Sequence, residues 1–241
     1  MSEETINLGI LAHVDAGKTS VTEQLLYLGG SIRQAGSVDA GTSHTDWLEV
    51  ERRRGISVKA AAASLRCQDV TVNLIDTPGH VDFIGEVERC LGVLDGAVLV
   101  ISAAEGVQPQ TRLLWMALKQ LRIPTLFLIN KVDRPGCRIP EVLRQIRQEL
   151  TGRLFVTQTV AAPGTDDCRI IASETYWEDA LEAAAEFDEA MELAYIEETL
   201  VEPDRLLEAL RTGTADRALF PVFFSSAKQG KGIQELLDGI L

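Results

Sequence analysis

The sequence predicts an α/β protein: a mostly parallel six-stranded sheet flanked by helices, with a small α+β insertion before the last strand. Three observations carry this. Short β-type runs alternate with longer helical patterns along the chain. Polar, glycine-bearing segments follow directly on several of the apolar runs. The 241 residues are 46% hydrophobic and 24% charged, which suits one large domain, or a domain with a subdomain, and excludes disorder as the dominant state.

In chain order, the apolar run 6–11 reads as the first strand, and the pattern over 18–28 as the helix that follows its loop. Residues 30–57 lack apolar periodicity and are rich in Gly, Ser and Arg, so they read as a long loop of the functional or mobile kind. Strands are then expected over 58–67 and 71–75, a helix over 82–91, and a strand over 97–101. The rhythm continues with a helix at 111–121, a strand at 125–129 and a helix at 141–150. A strand at 218–224 and a helix at 231–241 complete it.

From 152 to 213 the rhythm breaks. Two β-like runs, 154–160 and 169–172, precede a helical stretch carrying Leu181, Phe187, Met191 and Tyr195 at roughly helical spacing. That stripe is expected to face the insertion's own core. The predicted division is a nucleotide-binding domain of residues 1–151 and 214–241, interrupted by an acidic subdomain of 152–213.

The net charge of −13 is concentrated in that insertion. Residues 166–208 hold 15 Asp and Glu against Arg169 and Arg205, and the rest of the chain is neutral. The acidic segment is a poor candidate for nucleic-acid phosphates, and no direct DNA partner is expected. The longest apolar stretch, 97–104, falls far short of the roughly 20 residues that span a bilayer, so no membrane partner is expected either. The acidic start of the chain is unlike a secretory leader. Cys67, Cys90, Cys137 and Cys168 form no Cys-x-x-Cys pair, which argues for reduced thiols and a cytoplasmic setting.

Four motifs carry chemistry. The run 12–19, AHVDAGKT, lies between the first strand and the first helix and has the form of a phosphate-binding loop, with Ala12 where a glycine is usual. This makes the fold class that of a P-loop NTPase. Backbone N–H groups of Asp15, Ala16, Gly17 and the start of the helix, through Ser20, would cradle phosphates. Lys18 would span the β- and γ-phosphates, and the Thr19 hydroxyl would ligate Mg²⁺. The second motif, DTPGH over 76–80, follows the strand 71–75. A carboxylate at a strand's C-terminal end is where such sheets place catalytic groups. Asp76 would hold Mg²⁺ through water, the Gly79 N–H could reach the γ-phosphate, and His80 sits on a glycine hinge.

The third motif, NKVD over 130–133, selects the base. Guanine presents adjacent N1–H and N2–H₂ donors that the Asp133 carboxylate can accept together, and adenine offers no such pair. Asn130 would bind the base and tie this loop to the phosphate loop, and the Lys131 stem would cover one purine face. In the fourth, SSAK over 225–228, a backbone N–H around Ser226 and Ala227 would reach guanine O6, with the Lys228 stem on the other face. A γ-phosphate sensor belongs in the long loop. Ser57, in the run RGIS over 54–57, could complete the Mg²⁺ shell only with a triphosphate bound. The substrate and product are therefore GTP and GDP.

The runs 12–19, 54–57, 76–83 (DTPGHVDF) and 130–133 together resemble the GTP-binding domain of translation factors. Within that group the chain is similar to elongation factor G and, more closely, to the tetracycline-resistance ribosomal protection proteins. The closer match rests on GSVDAGT over 36–42 with Thr45 and Asp46, LVISA over 99–103, GVQPQT over 106–111, and Ile123 with Pro124. The resemblance implies a ribosome-dependent GTPase, slow alone, whose full-length form dislodges tetracycline from the small subunit. It places the catalytic histidine at His80, orienting the attacking water, with Val14 and Ile56 as an apolar gate. The family's sensor is Thr, where this chain has Ser57. Alternative readings are an elongation factor G-like translocase and a non-hydrolysing GTP-gated binding module. Trp115 and Phe127 are expected in the core, His44 in solvent, and His13 is expected to matter through its backbone rather than its ring.

Overall fold

The computed structural model describes residues 4–33, 61–67, 69–76, 91–173 and 176–241. Its main sheet runs β2 (Ala61–Cys67), β3 (Val70–Asp76), β1 (Glu4–Ala12), β4 (Gly96–Ser102), β5 (Thr125–Asn130), β9 (Phe220–Ser225) and β6 (Leu154–Val156). Among the described strands of this sheet, only β2, antiparallel to β3, departs from parallel pairing. Among the described residues this sheet therefore has seven strands rather than the six expected. The run 154–160 does not form one strand: its first part pairs with β9 in the main sheet. Thr157 then donates from both N–H and hydroxyl to the Val222 carbonyl, at 3.2 and 2.9 Å. The remainder, β7 (Gln158–Ala161), pairs antiparallel with β8 (Arg169–Ala172) in a separate two-stranded sheet.

Strand period explains how the sheet is covered on both faces. Leu99 and Ile101 of β4, with Phe127 and Ile129 of β5, point to one side, where they meet Leu114, Trp115 and Leu118 of α2 (Pro109–Gln120) and Ile146 of α3 (Ile139–Glu149). Val98 and Val100, with Leu126 and Leu128, point to the other, toward Leu25 of α1 (Lys18–Leu28) and Leu236 of α7 (Ile233–Ile240). Strands buried on both sides read as the continuous apolar runs seen in the sequence. Trp115 and Phe127 are core residues as expected, their rings 5.3 Å apart, and the Trp115 indole N–H donates to the Leu150 carbonyl at 3.0 Å.

Helix ends shift for local reasons. Helix α2 begins at Pro109, where a proline's missing N–H costs nothing, and its capping box joins Gln108 and Thr111. Helix α3 starts two residues before the expected 141, again with proline in its first turn.

The insertion packs a third core of Phe155, Ala180, Ala184, Met191, Leu206, Ala209, Leu210 and Leu219. The helical stretch is two helices, α4 (Tyr176–Ala185) and α5 (Glu189–Ile196), separated where the Asp188 carboxylate caps the Ala190 and Met191 N–H groups. Leu181 and Phe187 pack on this core and Met191 is buried, but Tyr195 is exposed, so the expected stripe is only partly inward. A helix that the sequence reading passed over, α6 (Pro203–Ala215), turns Leu206, Ala209, Leu210 and Gly213 inward. At Gly213 a Cβ would lie 2.2 Å from the Phe187 ring, which would have to move to admit it. The expected helix at 82–91 and nearly all of the long loop lie outside the described residues, although Leu91 is buried in the core.

Phe127→Ala is expected to lower the unfolding free energy by about 3–5 kcal/mol, the usual cost of removing a fully buried aromatic ring. Chemical denaturation checks this, and a loss below about 1 kcal/mol would contradict the core assignment.

Candidate nucleotide-binding site

Parallel pairing of β3, β1, β4, β5 and β9 sets the C-terminal ends of these strands along one edge of the sheet. Asp76 ends β3, Ala12 ends β1, Asn130 ends β5 and Ser225 ends β9. The segments of the predicted motifs that are described thus meet at that edge, as ligand sites in open α/β sheets do.

The phosphate-loop candidate turns sharply between β1 and α1. Asp15 and Gly17 take φ values of +63° and +98°. At Gly17 a Cβ would stand 2.4 Å from the Asn130 side-chain nitrogen, so glycine is required by conformation and by space. Gly17 also occupies the N-cap of α1, which has no side-chain cap and no acidic residue in its first turn. A glycine N-cap supplies no capping side chain, which is the arrangement of helix N-termini that accept an anion. Lys18 is buried, Ala16 is fully buried, and Thr19 and Ser20 are half-buried.

Asn130 binds three segments together. Its Nδ2 donates to the Ala16 carbonyl at 2.9 Å, and its Oδ1 accepts the Ser225 hydroxyl at 2.9 Å and the Ala227 N–H at 3.0 Å. The expected tie to the phosphate loop is present, and the Ala227 N–H proposed for the base is engaged by Asn130. Lys131, with φ of +65°, donates from its ammonium to the Asp15 carbonyl. Burial lowers its pKa, with the Arg134 charge acting in the same direction. Val132 donates to the Ser225 carbonyl at 3.2 Å, and Asp133 is half-buried beside it. Ser226 is fully buried, and its hydroxyl has no hydrogen-bond partner among the described residues. Lys228 is exposed.

Asp76 is placed by the β3 register opposite Ile10 of β1, two residues short of the loop. Ser57, Gly79 and His80, with Ile56 of the expected gate, lie outside the described residues, and Val14 is partly exposed.

The sequence reading missed two supports. One is the His13 ring, which is buried and held between Thr111 and Glu105. The other is the turn joining β7 to β8. Gly164 donates to the Val132 carbonyl at 2.7 Å, and Lys231 donates to the Asp166 carbonyl at 2.8 Å, so this turn braces both segments on the base side. The Thr111 capping signal was legible locally, but its histidine partner 98 residues away was not.

The sequence matches the elongation factor Tu GTP binding domain over residues 3–241. It is 52% identical over 241 residues to the oxytetracycline resistance protein of Streptomyces rimosus, covering 98% of this chain and 36% of that protein. It is 46% identical to the tetracycline resistance protein TetM of Streptomyces lividans, covering 98% and 37%, and 44% identical to TetP of Clostridium perfringens, covering 99% and 37%. A crystal structure of a Thermus thermophilus protein superposes with a TM-score of 0.89 at 26% identity, over 99% of this chain and 40% of the other. The chain spans little more than a third of the length of these curated relatives.

Asn130→Ala is expected to destabilise the chain by about 2–4 kcal/mol, since it removes three hydrogen bonds and strands buried partners. Thermal and denaturant unfolding check this. An unchanged midpoint would show that the clamp is not formed.

Proposed function

The chain belongs to the elongation factor Tu GTP-binding domain family, and from that premise we propose that it binds GTP and hydrolyses it to GDP as the nucleotide domain of a ribosome-dependent translational GTPase. The full-length parent would be a ribosomal protection protein that removes tetracycline from the small subunit, working in the cytoplasm. Residues 1–151 and 214–241 would form the nucleotide domain and 152–213 the acidic inserted subdomain. The observation that carries the reading is the Asn130 clamp, which holds the phosphate loop and both base-side segments in one buried hydrogen-bonded unit.

The residues present suit a guanine nucleotide. The uncapped start of α1 and the left-handed turn at Gly17 suit its phosphates. The Ser226 hydroxyl, buried among the base-side residues, still has hydrogen bonds to make. Asp133 would accept guanine N1–H and N2–H₂, and the stems of Lys131 and Lys228 would sandwich the purine. Asp15, Ala16, Gly17, Lys18, Thr19, Ser20 and Gly79 would surround the phosphates.

Thr19, Ser57 and Asp76 would hold Mg²⁺, whose chemistry here is neutralising phosphate charge. Hydrolysis then needs positioning and electrostatics more than covalent chemistry. Lys18 and the loop amides would stabilise charge as it shifts toward the leaving oxygen. His80 would orient the water that attacks the γ-phosphorus. With His80 positioned only on the ribosome, the chain alone would be a slow enzyme. Activation in related switches is worth roughly 10³–10⁵ in turnover.

Asp133→Asn is expected to shift preference from GDP toward XDP, because an amide complements the exchanged edge of xanthine. Competition against a fluorescent nucleotide checks this, and an unaltered preference would remove Asp133 as the base reader. His80→Ala in the full-length parent is expected to abolish ribosome-stimulated phosphate release while changing GTP affinity less than about threefold. Equal loss of affinity and turnover would place His80 in binding instead.

A further inference from the structure

The His13 ring has no part in the proposed chemistry, yet it is 4% exposed and both its nitrogens are bonded. Nδ1 lies 3.1 Å from the Thr111 hydroxyl, and Nε2 lies 3.1 Å from a Glu105 carboxylate oxygen. The pattern fixes the tautomer. A carboxylate only accepts, so Nε2–H donates to Glu105 and Nδ1 of the neutral ring accepts the Thr111 hydroxyl, whose oxygen takes the Gln108 N–H at 3.2 Å. Burial pushes the His13 pKa down, outweighing Glu105 and Asp15, which favour the charged ring, while Lys131 opposes charge as well.

Glu105 lies in a braced turn between β4 and α2, and Thr111 in the first turn of α2. The Gln108 amide donates to the Glu105 carbonyl at 2.7 Å, Gly106 N–H to the Ser102 carbonyl at 2.8 Å, and Val107 N–H to the Gln145 side chain of α3 at 2.9 Å. His13 is in turn the residue whose carbonyl accepts the Ala16 N–H at 3.2 Å, closing the first bend of the phosphate loop. The next residue, Val14, donates its N–H to Gln110 of α2 at 3.1 Å. Ring and backbone of one residue thus connect the loop to the β4–α2 turn.

We infer that His13 is a positioning residue: held by Thr111 and Glu105, it fixes the course of the phosphate loop and so sets how long a guanine nucleotide is retained. This rests on the nucleotide-binding reading and adds residues that need not touch the ligand. Loosening the ring leaves the loop free to sample other turns, and its N–H donors then converge on the phosphates only part of the time.

The test is stopped-flow release of a fluorescent GDP from the purified chain. His13→Ala, Thr111→Val and Glu105→Ala are each expected to speed release about tenfold, the weight of one buried or charge-assisted hydrogen bond. Thr111→Ser and Glu105→Gln keep an acceptor or donor in place and are expected to stay within about twofold of wild type. Glu105→Ala is expected to add nothing further in the His13→Ala background, since it acts through the ring. Melting temperatures without nucleotide separate this from general damage: Glu105 is partly exposed, and its variants are expected to melt with the wild type. Should His13→Ala not fold, Glu105→Ala against Glu105→Gln decides the matter. Wild-type release from both Thr111→Val and Glu105→Ala, or Glu105→Gln as fast as Glu105→Ala, overturns the inference. A wild-type chain that holds no GDP overturns the nucleotide-binding reading itself.

Discussion

One side-chain amide, that of Asn130, joins the segments 12–19, 130–133 and 225–228 into one hydrogen-bonded unit. Its oxygen takes two donors, Ser225 at the end of β9 and Ala227 just after it, and its nitrogen reaches the carbonyl of Ala16 across the sheet. A buried amide with these bonds has few other places to go, since any displacement strands donors and acceptors in a dry environment. Its position follows from register. Asn130 pairs with Ser102 of β4 and Ser225 of β9, so the parallel sheet itself delivers it to the middle of the edge. The Gly17 backbone answers on the other side, because only a residue without Cβ leaves room for the amide. Sheet register, a glycine and an asparagine together make one rigid platform from segments far apart in the sequence.

The insertion is tied to that platform. Strand β6 extends the main sheet beyond β9, and the turn after β7 bonds to Val132 on one side and Lys231 on the other. Gln158 accepts the Phe224 N–H at 3.1 Å from beneath. The acidic helices α4 and α5 stand farther out, on a core of their own, and carry exposed Trp177, Leu193, Tyr195 and Ile196. The segment therefore divides its work: its strands and their turn brace Val132, Phe224 and Lys231, and its helices pack on a separate core.

Local signals made much of this legible. Helix α1 has the expected bounds, the five parallel strands β3, β1, β4, β5 and β9 overlap the runs that predicted them, and the strand-end motifs that are described share one edge. What escaped was set by partners distant in sequence. Nothing in the run 154–160 announces that Thr157 will bond Val222 and divide it between two sheets. Asp188 is a local N-cap signal that the apolar stripe concealed, because Leu181, Phe187 and Met191 keep helical spacing across the break. His13 reads from the sequence as one loop residue among its neighbours, and its importance comes from Glu105 and Thr111, which only the sheet brings near.

The departure of the phosphate loop from its usual pattern has a physical resolution. Glycine at the first position of such a motif would matter if the backbone there needed a left-handed turn or close contact. Ala12 needs neither: it is the last residue of β1, paired with Val100, buried, and absent from the positive-φ positions. The bend instead falls on Asp15 and Gly17, and an aspartate tolerates that region better than a branched residue does. A methyl group at position 12 then packs in the core beside Ile10 and Val100, where a glycine would leave space. The glycine that geometry demands is the one at 17, and the chain keeps it.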